Sequence, residues 1–288
     1  MIYFCADDYG LNAISSKHIL EGVALGVLNK VSVFPNIEQF QPKEILKIKD
    51  VRLSLHLNLV EGKCMSNAKE VPLLADKKGN FKHTFGGLMK LGLFSNTQFE
   101  SQVYKEIKSQ VLFWKNTLPE NVPFCIDSHQ HTHMIPAVFK ALVKVLIDEK
   151  INVEYMRIPI EPLLPFIKTP SLYFTYSAIN IVKQWLLKFL WLINKKTIKG
   201  FPIPTAYFFG ILFSGKMDEK RVNKILPKYK KLAQKQSKDI EVLFHSGYLN
   251  KDDAEFKNKN IVFEKFYFSK DRKTEFDTVL NISERSVT

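Results

Sequence analysis

Short apolar runs alternate with segments of helical periodicity along most of the chain. Runs of this kind, bounded by polar residues or proline, predict buried strands. They lie at residues 2–6, 30–35, 51–59, 124–127, 153–158 and 241–244. Between them, apolar positions spaced by three and four residues predict helices. These lie at residues 15–28, 43–48, 99–118, 137–150 and 218–237. Strands that alternate with helices indicate an α/β fold with a parallel sheet.

Two segments depart from this alternation. Residues 63–95 predict a long loop with a small hairpin around Lys78-Gly79-Asn80. Residues 159–204 contain six prolines and predict an insertion, at about 160–205, that carries an apolar helix. No Gly/Ser-rich or Pro-rich linker and no repeat divides the chain. We therefore expect residues 1–288 to form a single domain, which is ordinary for an α/β barrel of this length.

Ionisable residues follow several of the predicted strands. They are Asp7 and Asp8, His56, the segment 127–133, Arg157 and His245. The carboxyl ends of parallel strands meet at one edge of a sheet, and in a (β/α) barrel the catalytic groups collect there. Folding alone does not account for an ionisable residue at five strand ends. The pattern predicts an enzyme site at this edge.

The segment Asp127-Ser128-His129-Gln130-His131-Thr132-His133 places an imidazole at every second residue. In extended backbone all three imidazoles would point to one side. We interpret the cluster as metal-binding rather than as a polar loop, with one ligand, one residue that supports a ligand and one packing residue. With His56 and a carboxylate it makes a three-ligand set that leaves a position open for water. A lone histidine such as His56 is otherwise a hydrogen-bonded core residue.

Asp7 and Asp8 are adjacent, and adjacent residues of an extended strand point to opposite sides. The pair can serve two roles, one holding a cation and one acting as a base, only if the chain turns there. Gly10 permits such a turn. The simpler alternative is that both are cap or turn residues.

Five sequence motifs together resemble the YdjC-like carbohydrate deacetylases, a family that includes chitooligosaccharide deacetylase. The first four are Ala6-Asp7-Asp8-Tyr9-Gly10, Leu55-His56-Leu57-Asn58-Leu59, the segment 127–136 and Arg157-Ile158-Pro159; the fifth is His245-Ser246-Gly247-Tyr248. They occur in the family's order and extend from residue 6 to residue 248. The acid pair and the histidine block are specific in combination.

The resemblance implies a distorted (β/α) TIM-like barrel that holds one divalent metal ion, Mg²⁺ or Zn²⁺. The implied metal ligands are Asp8, His56 and His129. Asp7 is the implied base that activates the attacking water. His245 is the implied acid that protonates the leaving amine or stabilises the tetrahedral intermediate.

The resemblance also implies that Asp127, His131 and Arg157 support the ligands or contact the substrate. The implied reaction is hydrolysis of an N-acetyl group from an amino sugar in an oligosaccharide, glycan or glycolipid. Amide hydrolysis needs an activated water, an electrophile and an acid, and these residue types supply all three. A metal-dependent hydrolase of another bond, such as a phosphoester, stays open as the alternative, as does a scaffold that has lost activity.

The chain carries 42 Lys and Arg against 29 Asp and Glu, a formal net charge of +13. Such a surplus favours an anionic partner. We expect no nucleic acid, because the lysines of segment 216–238 are interspersed with acids as on a solvated helix and no nucleic-acid motif is present. Three cysteines, with no C-x-x-C pair, predict no disulfide framework. The first residues lack the features of a signal peptide, which predicts a cytoplasmic location.

The apolar helix of the insertion, residues 178–194, is too short for a confident membrane span. Lys183, Gln184 and Lys188 interrupt it on one side, and three lysines follow by residue 199. One interpretation is a helix, about 178–199, that lies on the anionic inner face of a membrane and gives access to a membrane-borne glycan. The other is a helix buried in the core or in a homo-oligomer contact.

Overall fold

The computed structural model describes residues 1–36, 42–48, 50–93, 97–119, 121–250 and 261–286. Seven strands form one sheet in these residues, and every pair of neighbours is parallel. The strands are β1 Ile2–Tyr9, β2 Lys30–Val33, β3 Arg52–Leu57, β4 Phe124–Ser128, β5 Val153–Met156, β6 Tyr207–Phe209 and β7 Ile240–Phe244. Their order is β5-β4-β3-β2-β1-β7-β6. The expected α/β fold with parallel strands is confirmed.

Ten helices of the described residues connect these strands. They are α1 Ala13–Ala24, α2 Pro42–Ile45, α3 Phe85–Leu93, α4 Thr97–Thr117, α5 Pro136–Asp148, α6 Leu164–Ile167, α7 Ala178–Asn194, α8 Glu219–Gln236, α9 Ile261–Tyr267 and α10 Lys270–Ser286. Short 3₁₀ helices add Ala68–Glu70, His129–Met134 and Pro170–Thr175. The apolar spacing that predicted α4 also forms its buried face, where Val103, Ile107 and Val111 recur every four residues.

The sheet curls into a half-barrel. Tyr155 on β5 donates a hydrogen bond to Glu241 on β7, although four strands lie between them in the sheet. The backbone N–H of Met156 donates to the carbonyl of Pro204, just before β6, at 3.1 Å. The two edges of the sheet therefore approach each other without pairing as strands.

Charged side chains occupy the interior of this half-barrel. Lys30 Nζ lies 3.0 Å from Glu241 Oε1 and 3.5 Å from Asp127 Oδ2. Arg157 contacts the same glutamate, with its Nε 2.7 Å from Oε1. All four of these side chains are fully buried. A buried charge is tolerated only when it is paired, and here two cations alternate with two carboxylates.

Several elements differ from the prediction. Strand β1 continues through Asp7 and Asp8 to Tyr9, so the acid pair lies within the strand and not after it. The expected loop at 63–95 contains α3, although the hairpin around Lys78-Gly79-Asn80 is confirmed by the antiparallel bridge between Ala75 and Phe81. Strand β6 and helices α6, α9 and α10 were not predicted.

Helix α7 has the predicted bounds, and it buries Leu187 and Leu190 against the protein. Two polar side chains lie on the same side. Gln184 and Asn194 are buried, while Trp185 and Phe189 are more than half exposed. The helix is therefore not enclosed by the described part of the chain, contrary to the expectation of a core helix. No helix among the described residues has both the length and the apolar character needed to cross a membrane.

Candidate active site

All eight predicted site residues lie together at the carboxyl end of the sheet. A cavity of about 420 Å³ opens there. Six of the eight line it: Asp7, Asp8, His56, His129, His131 and His245. Asp127 and Arg157 are fully buried beneath, and each contacts a residue of the cavity wall. The strand ends of the parallel sheet bring these residues together, as expected.

The two adjacent aspartates face different partners because β1 is irregular where they lie. The pairing of β1 with β2 shifts register between Ala6 and Tyr9, and Asp8 has a φ of 73°. This left-handed conformation is unfavourable for a residue with a side chain, and it reverses the usual alternation of the strand. The chain therefore changes direction already at Asp8, and it turns again at Gly10, whose φ is 94°, as the sequence allowed.

Asp8, His56 and His129 form a compact buried group. Asp8 Oδ1 lies 3.0 Å from His129 Nδ1 and 3.5 Å from His56 Nε2. One donor atom from each of the three residues lies within 4.8 Å of the others. The Nε2 atom of His56 is buried and has no hydrogen-bond partner among the described residues. Two imidazole nitrogens and one carboxylate, converging in this way, fit a divalent metal ion.

Asp127 orients His56 toward this group. The Asp127 Oδ1 atom lies 2.6 Å from His56 Nδ1, while its Oδ2 accepts a hydrogen bond from Ser32 at 2.7 Å. A carboxylate behind an imidazole is the arrangement that fixes the ring of a metal ligand. Burial alone would lower the pKa of His56, but Asp7, Asp127 and Asp8 outweigh it and raise that pKa to about 9. The carboxylates around His56 thus favour positive charge at this position.

A second set of donors overlaps with the first but fits a metal less well. Asp7, His56 and Asp127 also place one donor atom each within 4.8 Å. Both oxygens of Asp7 accept hydrogen bonds from Arg157, however, and Asp127 is held by Ser32 and His56. These donors already satisfy one another. The Asp8 group, with its unpartnered imidazole nitrogen, is the better candidate.

Arg157 holds the carboxylate of Asp7 in a bidentate pair. Its two terminal nitrogens lie 2.7 and 2.8 Å from the two oxygens of Asp7. Burial alone would raise the pKa of Asp7, but Arg157 and His56 outweigh it and hold that pKa below its ordinary value. The side chain of Asp7 is thereby kept ionised and fixed in direction at the cavity wall.

The three histidines after β4 do not point to one side. Gln130 and His131 have left-handed backbone, with φ values of 53° and 58°, which kinks the 3₁₀ segment 129–134, so the expected two-residue alternation is lost. His129 faces Asp8, whereas His131 packs edge-on against Phe208. The expectation of three parallel imidazoles was wrong, because it assumed extended backbone.

His133 secures this turn from within the protein. Its backbone N–H donates to Ser128 Oγ at 3.0 Å, and its Nδ1 lies 2.5 Å from the same oxygen. Its Nε2 lies 2.8 Å from the carbonyl oxygen of Arg157, which links the turn to the residue that holds Asp7. Burial lowers the pKa of His133 to about 4, against the opposing effect of that carbonyl.

Helix α10 contributes two residues that the sequence analysis missed. Arg272 donates to Asp8 Oδ2 at 2.5 Å and to the carbonyl of Gly247 at 2.8 Å. Glu275 accepts the backbone N–H of His245 at 2.5 Å and lies 3.5 Å from its Nδ1. Burial opposes ionisation of Asp8, but Arg272 and His129 hold its pKa well below the ordinary value. No motif marks either residue in this charged segment.

Helix α7 forms part of the cavity wall, which the sequence did not indicate. Its contribution comes from Ile179, Asn180 and Lys183, next to Ser177. Burial lowers the pKa of Lys183, while Asp7 and Glu161 act in the opposite direction. The predicted insertion therefore belongs to the site, and it brings a cation to the cavity.

Comparison with known proteins places the chain among related sequences. A family model described as YdjC-like protein matches residues 1–285. A protein from Danio rerio named carbohydrate deacetylase is 30% identical over 162 residues, which are 56% of this chain and 50% of that protein. A carbohydrate deacetylase from Clostridium beijerinckii is 26% identical over 189 residues, 64% of this chain and 73% of that protein. The alignment thus spans about half the length of the fish relative.

A solved structure shares the fold. It is a crystal structure from Enterococcus faecalis V583 of a protein provisionally described as a cellobiose-phosphate cleavage protein. The TM-score is 0.63 with 17% sequence identity, and the match covers 99% of this chain and 93% of that chain. At this identity the likeness extends to the fold alone.

Proposed function

Because this chain belongs to the YdjC-like protein family, we propose that it is a metal-dependent hydrolase that removes the N-acetyl group from an amino sugar. The substrate class follows from the relatives named carbohydrate deacetylase. The observation that carries the proposal is the buried group of Asp8, His56 and His129 in the wall of the cavity. The sugar belongs to an oligosaccharide, a glycan or a glycolipid.

Asp8, His56 and His129 would hold one divalent ion. When bound, such an ion polarises the amide carbonyl and lowers the pKa of the attacking water. Two imidazoles and one carboxylate suit Zn²⁺ better than Mg²⁺, which prefers oxygen ligands. Arg272 fixes the other oxygen of Asp8, and Asp127 fixes His56, so neither ligand has to reorganise.

Asp7 is the base that accepts a proton from the attacking water. Arg157 keeps its carboxylate ionised and directed, which is what a base that acts repeatedly in one position requires. The arrangement makes Asp7 a weaker base than a free aspartate. Asp7 would therefore accept a proton only from a water that is more acidic than bulk water.

His245 is the acid that protonates the leaving nitrogen. It follows β7, the neighbour of β1 in the sheet, and so reaches the same cavity as Asp7. Glu275 holds its backbone and lies close to its ring. An amide nitrogen leaves poorly unless it is protonated, so this step needs a proton donor in the cavity.

His131 and Lys183 line the same space and would contact the sugar.

The test is release of acetate from a panel of acetylated amino sugars and oligosaccharides, with generic phosphodiesters alongside. We expect acetate and free amine in equal amounts and no phosphate. Asp7→Asn should lower the rate at least about a hundredfold while leaving the bound metal in place. Asp148→Asn, the same change at the surface of α5, should leave the rate unchanged.

Two outcomes count against the proposal. Phosphate release without acetate release would favour the phosphoesterase alternative. Normal turnover by Asp7→Asn would remove Asp7 from the role of base.

A further inference from the structure

The outward face of α7 is apolar and exposed. Trp185 is 54% exposed and Phe189 is 59% exposed. The other exposed apolar residues of this helix are Ile179, Ile181, Val182, Leu192 and Ile193. Tyr173 and Phe174, just before the helix, are exposed as well. We call the seven helix residues the apolar face. A soluble protein rarely exposes apolar side chains in one continuous group unless they contact something.

Hydrogen bonds fix this orientation of the helix. Gln184 Nε2 donates to the carbonyl of Glu161 at 2.9 Å, and Asn194 Nδ2 donates to the carbonyl of Met134 at 2.7 Å. Asn180 Nδ2 donates to the carbonyl of Ser214 at 3.1 Å. These polar side chains thus point inward beside the buried Leu187 and Leu190, and the apolar residues on the other side of the helix face outward. Rotation of the helix to hide its apolar face would break all of these contacts.

The stretch of sequence that carries the apolar face has charge of one sign. Between Glu161 and Asp218 the sequence contains no aspartate or glutamate, and it contains seven lysines. These are Lys168, Lys183, Lys188, Lys195, Lys196, Lys199 and Lys216. Lys188 lies at the edge of the face, with its Nζ 4.9 Å from the centre of the Trp185 ring. The partner of this surface must therefore combine an apolar interior with a negative boundary.

We propose that the apolar face of α7 docks on the surface of an anionic lipid bilayer. A helix that lies in the interface places its apolar side chains among the acyl chains and its lysines among the lipid phosphates. Tryptophan and lysine are the residues typical of that boundary. A second copy of the chain fits less well, because the lysines that border the apolar face on each copy would repel each other. The docking proposal does not depend on the proposed catalytic activity.

Docking would bring the cavity next to the lipid headgroups. Ile179 belongs to the apolar face and also lines the cavity. Lys183, one turn further along the helix, lines the cavity as well. If the proposed deacetylation is correct, the amino sugar is one that a lipid carries at the membrane surface. This consequence rests on the proposed function, whereas the docking itself can be measured without any substrate.

The test is flotation of the purified full chain with vesicles of phosphatidylcholine, with and without phosphatidylglycerol. We expect flotation only with the anionic vesicles. The double variant Trp185→Glu/Phe189→Glu should lower the partition coefficient at least about tenfold, because both side chains lose their apolar contacts. The matched control is Leu25→Glu/Ile147→Glu, which makes the same change of charge at exposed apolar residues outside α7. It should float like the wild type.

Equal flotation of the α7 variant and the control would overturn the proposal, since net charge alone would then explain binding. A dimer in sedimentation that the α7 variant dissociates, without vesicle binding by the wild type, would assign the face to a second copy. Tryptophan emission gives a measurement that needs no destabilising substitution, because Trp185 is 54% exposed whereas Trp114 is buried. We expect it to shift to shorter wavelength with anionic vesicles in the wild type, and no shift would contradict docking.

Discussion

Asp7 and Asp8 show how two identical neighbouring residues acquire different chemistry. Asp7 is paired with Arg157, whereas Asp8 faces two histidines and is paired with Arg272, 264 residues away. The sequence indicated the pair and the histidines, because acids and imidazoles after buried strands are uncommon. It could not indicate Arg272, since a pairing over that distance is set by how α10 packs and leaves no local pattern.

The turn at residues 129–134 limits what spacing alone can predict. Three histidines at every second residue suggest extended backbone, yet Gln130 and His131 adopt left-handed conformations. Glycine usually marks such positions, and here there is none. Ser128 and His133 stabilise the turn through contacts that close only when it forms. The prediction that only one of these three histidines is a metal ligand does not depend on an extended backbone.

His133 should make the folded protein sensitive to acid. Its pKa is about 4 in the folded protein and about 6.5 when unfolded, so below pH 6.5 the unfolded chain binds a proton that the folded chain excludes. Protonation therefore favours unfolding as the pH falls from 6.5 to 4, by about 3 kcal/mol for this residue. Urea unfolding of the wild type and His133→Gln across this range measures the difference. If the free energies of unfolding of the two proteins change equally with pH, His133 is not the source of the acid sensitivity.

Strands with long apolar runs and helices with a regular apolar period were predicted well. Helix α7 begins and ends at the predicted residues. Strand β6 was missed because it has only three residues and follows two prolines. Helix α3 was missed because Gly86, Gly87 and Gly92 give its sequence a low helix propensity. Its formation depends on packing against α4 and α5 rather than on its own sequence.

Glu161 connects three elements near the cavity. Its two oxygens accept the backbone N–H groups of Gly210, Ile211 and Leu212 at 2.6 to 2.9 Å, just after β6, and its own backbone bonds to Gln184 of α7. Gly210 has a φ of 154°, and a Cβ there would lie 2.7 Å from that of Leu243. Only glycine allows the chain to pass this close to β7.

Glu161→Ala should destabilise the protein and loosen α7. Three buried N–H groups would lose their acceptor, which we expect to cost about 3 kcal/mol. Hydrogen exchange should rise over residues 178–194 before the sheet is affected. Glu154→Ala, an exposed glutamate on β5 near Arg52, is the matched control and should cost less than about 1 kcal/mol. An equal effect of both substitutions would refute the connecting role of Glu161.

At the scale of the whole molecule, the half-barrel pairs its buried charges and leaves its other lysines outside. Carboxylates paired with Lys30, Arg157 and Arg272 fill the interior and the cavity, while most of the other lysines are exposed. Lys30 and Glu241 stand within apolar strands, and only the closed sheet shows that they face each other. Helical periodicity likewise defined the apolar side of α7 but not the direction in which it points. That direction follows from hydrogen bonds to distant loops.

Restoration of metal to the stripped protein tests most directly whether deacetylation depends on an ion held by Asp8, His56 and His129. After chelation and dialysis, bound metal and acetate release are measured together as Zn²⁺ or Mg²⁺ is added back. We predict that the wild type recovers activity in proportion to bound metal, that Asp7→Asn binds the ion without recovering, and that Asp8→Asn does neither. Full activity of the stripped wild type, or full recovery by Asp8→Asn, would contradict this.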